Sequence, residues 1–319
     1  MRVAEVAGDR RWRKHLAAIV AAVFLLVVAV LLVRYARTLD WAEVSAALAG
    51  YGAAQVAAAG VGVALSYLLY GSYDLAARAY SGHCLSRRRV VLIAFISYAF
   101  NLNLGALVGA AGFRYRLYSR SGLDAATIGR IFGFSVVANW TGYALLGGAL
   151  FALGLVALPP GWELGTAGLR VVGIAMLIAV TAYMVGCALW PRREWTVRGH
   201  SIQLPSFRLA LLQVLLSAAN WLVIAAILDA LLPAGIPYPT VLGVLLLGAV
   251  AAAATHVPAG LGVLEATFLG LLGASIGQAE VLAALLAYRA LYYLGPLLLA
   301  IAMYLGFEAR ARGRSPAER

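Results

Sequence analysis

Residues 254–269 read Ala254-Thr-His256-Val-Pro258-Ala259-Gly260-Leu-Gly262-Val-Leu264-Glu265-Ala-Thr-Phe-Leu269, set in an otherwise apolar run. Pro258 has no backbone N–H to donate, and Gly260 and Gly262 disfavour a continuous helix, so a helix entering from Thr240 is expected to break here. Glu265 follows directly. Inside lipid, a broken helix leaves backbone polar groups bare, which is tolerated only where protein or a water-filled cavity surrounds them. An acidic group at that depth marks a functional site by default. The same residues also suit a short turn outside the membrane between two ordinary spans, so the rest of the chain has to decide.

The chain has 319 residues, of which 63% are hydrophobic and 12% charged, with a mean hydropathy of +0.89. That composition belongs to an all-α integral membrane protein, not to a soluble domain. Apolar runs of about 18 or more residues, each enough to cross a core of roughly 30 Å, recur along the length. A single transmembrane domain at 16–305 is expected, between a basic cytoplasmic N-terminus at 1–15 and a basic cytoplasmic tail at 306–319. The formal charge of +12 comes from Arg residues in short loops beside the apolar segments. This is the positive-inside pattern and points away from nucleic acid. Cys84 and Cys187 lie in different segments, so neither a disulfide framework nor a metal site is implied.

Charge placement separates two topologies. Arg2, Arg10, Arg11, Arg13 and Lys14 precede an apolar run at 16–33 that lacks a small-residue cleavage site, so it is read as an uncleaved first span. Further spans are expected at 50–73, 128–158, 169–190, 207–232 and 279–305. If residues 90–112 crossed the membrane once, Arg114, Arg116, Arg120 and Arg130, and later Arg192, Arg193 and Arg198, would all face outward. If the chain instead dips in from the cytoplasm, turns around Asn101-Leu-Asn103-Leu-Gly105 and returns, every basic cluster stays inside. From Val90 to Phe100 a helix rising 1.5 Å per residue reaches about half way through the core. Residues 240–275 form the second such pair, because the arm after Gly262 is too short to cross. The expected architecture is therefore six full spans plus two oppositely oriented re-entrant helical pairs, with both termini cytoplasmic. Opposed broken helices meeting near the midplane are a transporter arrangement.

Glu265 and Arg289 are the charges placed most firmly within apolar segments. One alone is expensive to bury, so they are expected to pair with each other or with a charged ligand. Arg114 and Arg116 flank the first pair. Their planar donor forks suit a phosphate, although cytoplasmic topology signals would look the same. Asn101 and Asn103 put polar groups at the first turn. Asn139, Asn220 and Trp221 suit hydrogen bonding between helices, and the pairs Gly105/Gly109 and Gly129/Gly133 suit close packing. His256 reads as a proton carrier or, more simply, as a helix-end group. The sole lysine, Lys14, follows Arg13, so no Walker A motif exists. Neither HExxH nor GxSxG occurs, and the four histidines lack metal-ligand spacing. No enzyme, cofactor or metal is expected.

Three ordered stretches carry a family resemblance. They are Asn103-Leu-Gly105 with Gly112-Phe-Arg114-Tyr-Arg116-Leu-Tyr-Ser119 and Gly122-Leu123; His256 through Glu265; and Tyr288-Arg289-Ala-Leu-Tyr292-Tyr293-Leu-Gly-Pro296. With Leu204-Pro205, Gln213 and Asn220-Trp221 between them, the chain resembles the transmembrane flippase domain of the bacterial lysylphosphatidylglycerol flippase/synthetase, the multiple peptide resistance factor. It departs at Ala259, where that family usually has Gly, and at Leu264, where it often has Phe. The sequence ends at Arg319 without the soluble aminoacyl-transferase domain of the bifunctional members. What the resemblance implies is the lipid-translocating half alone, in the bacterial cytoplasmic membrane. The implied activity is flippase or scramblase movement of a phospholipid, with aminoacylated phosphatidylglycerol among the candidates; stand-alone relatives are associated with hopanoids and polyprenyl-linked sugars. On that reading Arg114, Arg116 and Arg289 contact the lipid phosphate, Glu265 balances Arg289 or holds a cationic headgroup, and the breaks at Gly105, Pro258, Gly260 and Gly262 shape the cavity. The alternative is a non-transporting membrane partner of a separately encoded lipid-modifying or glycosyl-transfer enzyme. A homo-oligomer is left open.

Overall fold

The structure is a computed structural model that describes residues 41–156, 165–190, 194–197, 200–255 and 257–312. The expected first span at 16–33, the basic segment at 1–15, His256 and the end of the tail lie outside the described residues. What is described is helical apart from one short antiparallel ribbon, Glu194–Val197 paired with His200–Gln203, in the loop expected at 191–206.

The helices are α1 (Trp41–Ala49), α2 (Ala53–Ser81), α3 (Arg87–Gly105), α4 (Phe113–Ser119), α5 (Ala125–Ala152), α6 (Gly165–Leu189), α7 (Phe207–Leu231), α8 (Tyr238–Thr255), α9 (Val263–Ile276), α10 (Gln278–Tyr288) and α11 (Gly295–Arg312). Two π-helical segments, Ala106–Gly112 and Arg289–Leu294, join α3 to α4 and α10 to α11. Among the described residues six helices are long and apolar enough to cross a membrane: α2, α5, α6, α7, α8 and the continuous helix Gln278–Phe307. The chain is an all-α integral membrane protein. By length alone α8 qualifies as a span, at 18 residues, although charge placement reads it as one arm of a pair.

Element ends follow local chemistry. α5 begins where Asp124 caps it, its carboxylate accepting from the Thr127 N–H at 2.6 Å. α2 runs eight residues beyond the expected end at Tyr73, because Tyr73, Asp74, Ala76 and Ala77 continue its buried face. Hydrogen bonds fix the directions. Tyr51 and Gln55 of the α2 start donate to the Leu231 and Ala230 carbonyls at the α7 end. Mid-helix Ser66 donates to Asn220, so α2 and α7 are antiparallel. Gln213 donates to the Phe134 carbonyl, and Ser217 and Trp221 to that of Asn139, so α5 and α7 run parallel. The interhelical role expected of Asn220 and Trp221 holds, whereas Asn139 supplies its backbone carbonyl. Close packing falls at Gly142 against Ser217 and at Gly148 against Leu177, while Gly129 and Gly133 face open space.

Two hairpins interrupt this frame. At Gly105 (φ 81, ψ 170) the chain leaves α3 and doubles back. A Cβ on Gly109 would lie 2.3 Å from the Phe100 carbonyl oxygen, and the Phe113 ring stacks on Phe100 at 3.8 Å. The second reversal uses left-handed backbone at Ala259, Gly260 and Gly262 (φ 58, 56 and 78). It returns α9 along α8, with Gly248 against Leu264 and Thr267. The first hairpin starts at the end of the bundle where α2 finishes. The second starts at the opposite end, where α7 finishes, and the turn at Pro258–Gly260 packs against α3.

Candidate functional site

Where the hairpin turns approach each other, the structure holds a cavity of about 350 Å³. Asn101, Leu102 and Gly105 line it from the first turn and Val257, Ala259 and Gly260 from the second. Both turns leave helical hydrogen bonding incomplete, so backbone polar groups are concentrated at this depth. The π-helical segment beginning at Arg289 adds a third irregularity beside it, a feature frequent at functional sites.

Aromatic rings make up much of the wall. Tyr70 stacks on Tyr98 at 3.5 Å between centroids and Tyr288 on Tyr292 at 5.1 Å, with Tyr293, Trp140 and Trp221 also lining it. The hydroxyls form a directed chain. Ser66 gives its one proton to the Asn220 side-chain oxygen at 2.7 Å, so Tyr292 donates to Ser66 and Tyr98 donates to Tyr292, each at 2.7 Å. This ties α2, α3, α7 and the last span together around the cavity. The Ser66, Tyr98 and Tyr292 hydroxyls are each buried and hydrogen-bonded, which is the condition for a buried polar network to rigidify its surroundings.

Arg114 is the charged side chain in the lining among the described residues. It is 1% exposed, and its guanidinium forms a fork with Asp74, itself 0% exposed: Nε to Oδ2 at 3.2 Å and Nη2 to Oδ1 at 2.8 Å. Tyr118 and Ser135 each donate to the same carboxylate at 2.9 Å. Asp74 thus accepts four hydrogen bonds. The fork that could grip a phosphate is occupied by a carboxylate of matching geometry.

Glu265 and Arg289 pair with each other, as one of the two expected alternatives has it. Arg289 Nε donates to Glu265 Oε1, and Nη2 to Oε2 at 3.1 Å. The guanidinium also donates to the Ala259 and Gly260 carbonyls at 3.1 and 3.3 Å, and Glu265 accepts from the Gly262 N–H at 2.8 Å. The pair therefore caps the broken turn from both sides. Ala259, Gly260 and Leu264 line the cavity; Glu265 and Arg289 stand behind them. Other expected residues separate. Asn103 donates to the Ala99 and Tyr293 carbonyls and serves as a brace, while Arg116 is exposed outside the cavity, over the Tyr304 ring. Arg114 alone among the expected arginines reaches the cavity.

Residues 17–300 match the family described as the lysylphosphatidylglycerol synthase transmembrane region. The chain belongs to this family. It is 46% identical over 303 residues to the inner membrane protein YbhN of Escherichia coli, covering 95% of each chain. With the Synechocystis protein slr0712 it shares 31% identity over 264 residues, covering 81% of this chain and 80% of that one. This family member is a multi-pass protein of the bacterial inner membrane.

Asp74 was the residue that sequence reasoning missed. Closing the second span at Tyr73 turned an acid in a buried stripe into a loop residue. The stripe is visible at helical spacing, since Tyr67, Tyr70, Tyr73, Asp74 and Ala77 recur at three and four residues, and all are buried. The tyrosine wall gave a weaker signal, being spread over three distant helices.

Proposed function

We propose that this family member translocates a phospholipid across the inner membrane, as a flippase or scramblase, with the headgroup passing through the cavity between the two hairpin turns. One observation carries the reading: both broken turns, an aromatic wall and a buried arginine fork converge on one cavity at bundle depth. Irregular backbone at membrane depth is placed where it lines such a passage, and ligand sites of transporters form at broken helices. The roles divide as follows. Arg114 meets the lipid phosphate by exchanging the Asp74 carboxylate for it. The tyrosine hydroxyls take the polar atoms of the headgroup, and Glu265 with Arg289 holds the second turn open. The hairpins are re-entrant, one from each face of the membrane. Because the family description names lysylphosphatidylglycerol, aminoacylated phosphatidylglycerol is the first lipid to try.

The test is reconstitution of purified protein in vesicles carrying fluorescent phosphatidylglycerol or lysylphosphatidylglycerol, with exchange followed by quenching of the outer leaflet. Wild type exchanges lipid. Arg114→Lys keeps the charge but loses the planar fork, and slows exchange about tenfold, the equivalent of 1.4 kcal/mol. A correctly folded protein that exchanges no lipid is a non-transporting partner of some other enzyme, and the proposal fails.

A further inference from the structure

The cavity described above, about 350 Å³, equals in volume a sphere about 9 Å across. An acyl chain reaches about 15 Å, half of a roughly 30 Å core. Two chains of that length exceed a cavity of this volume, so a lipid whose headgroup lies here needs a lateral gap through which its chains remain in the bilayer. Three of the lining residues are exposed and so mark the mouth of the cavity: Val136 at 39% and Trp140 at 41% on α5, and Ala253 on α8. The other described lining residues are buried or half-buried. Val136 and Trp140, four apart, share one face of α5.

The local construction suits a gap. Tyr143 of α5 donates to the Leu246 carbonyl of α8 at 3.0 Å and bridges the two helices there. Toward the broken turn, α8 offers Ala249, Ala252 and Ala253 to the cavity, side chains too short to fill it. Trp140 stands edge-on to Tyr143 at 5.3 Å, so one edge of the gap is braced.

We infer that the cavity opens sideways between α5 and α8, and that the gap framed by Val136, Trp140 and Ala253 binds the acyl chains of the phospholipid whose headgroup lies inside. The inference rests on the lipid reading above and adds the route of entry. Trp140 contributes an aromatic flank with an indole N–H, and Ala253 sets the width.

The probe is a phosphatidylglycerol with a photoreactive diazirine midway along one acyl chain, incorporated into vesicles with the full-length protein. Irradiation is expected to label peptides containing Val136, Trp140 and Ala253. Ala253→Trp fills the gap and lowers both that labelling and lipid exchange about tenfold, one decade of apparent affinity. Val250→Trp, on the same helix, 42% exposed and outside the lining, leaves both at wild-type levels and controls for folding. Labelling confined to other faces, or labelling unchanged in Ala253→Trp, overturns the inference. Labelling at the gap without exchange in wild type leaves the acyl-chain site standing and removes translocation.

Discussion

The two hairpin turns use the same pair of chemical groups for different ends. At the second turn Arg289 and Glu265 are 24 residues apart and hold backbone: the arginine reaches the Ala259 and Gly260 carbonyls and the carboxylate reaches the Gly262 N–H. At the first, Arg114 pairs across 40 residues with Asp74 on another helix, and both groups are almost wholly buried. One pair stands behind the cavity wall; the other ends in it. A guanidinium–carboxylate fork that caps a turn is part of the frame, whereas one whose arginine faces a cavity is, on the proposed reading, where an anion is exchanged.

The comparison predicts unequal costs. Asp74→Ala leaves the Arg114 charge buried without its counter-ion and orphans the Tyr118 and Ser135 hydroxyls, so stability should fall by about 3–5 kcal/mol, read as thermal unfolding in detergent. Glu265→Ala removes a partner at the half-open second pair, whose side chains are 12% and 16% exposed. Its expected cost is smaller, about 2 kcal/mol. The reverse order would mean that the frame is anchored at the second turn and that the first pair is relaxed enough to hydrate.

A third variant sharpens the account of the second turn. Ala259 holds φ 58 and ψ 8, left-handed backbone that penalises a Cβ. It sits where the resembling family usually carries Gly. Ala259→Gly should stabilise the protein by up to about 1 kcal/mol, the relief of left-handed strain less the extra chain entropy of glycine. A loss of stability would show that the turn depends on the methyl group's packing.

The smallest expected effect concerns pH. His83, in the loop after α2, is held below its ordinary value by burial and by the Arg78 charge, with Asp74 opposing. Its Nδ1 accepts from the Leu85 N–H at 3.3 Å, and its ring lies 6.1 Å from that of Tyr118, a donor to Asp74. The folded state thus binds the proton less readily than the unfolded chain, whose value is about 6.5. Stability from neutral His83 is complete above that value and declines as pH falls through the lower folded one. The melting temperature should drop slightly between neutral and mildly acidic buffer, and His83→Gln should flatten that dependence.

Much of the architecture was legible because lipid is a strict solvent: apolar length marks spans, and Pro258, Gly260, Gly262 and Gly105 mark breaks. The pairing of Glu265 with Arg289 was legible for the same reason, since neither charge tolerates isolation. The partner of Arg114 was not, because hydropathy ends a span at its first acid while the α2 helix continues past it. Arg116 shows the converse. Two residues from Arg114 it carries the same chemistry, but helical geometry turns it out toward Tyr304.

The central claim is that both broken turns face one wet cavity at membrane depth. It is tested most directly by thiol labelling in membrane vesicles, with Cys84 and Cys187 replaced by Ser and single cysteines placed at Asn101, at Ala252 and at Val171, an exposed position of α6 outside the cavity. A small, charged, water-soluble thiol reagent should modify Asn101→Cys and Ala252→Cys and spare Val171→Cys, on the reading that α6 turns this position to lipid. Protection at both Asn101→Cys and Ala252→Cys would mean that the turns meet in dry packing, and the passage proposed between them would not exist.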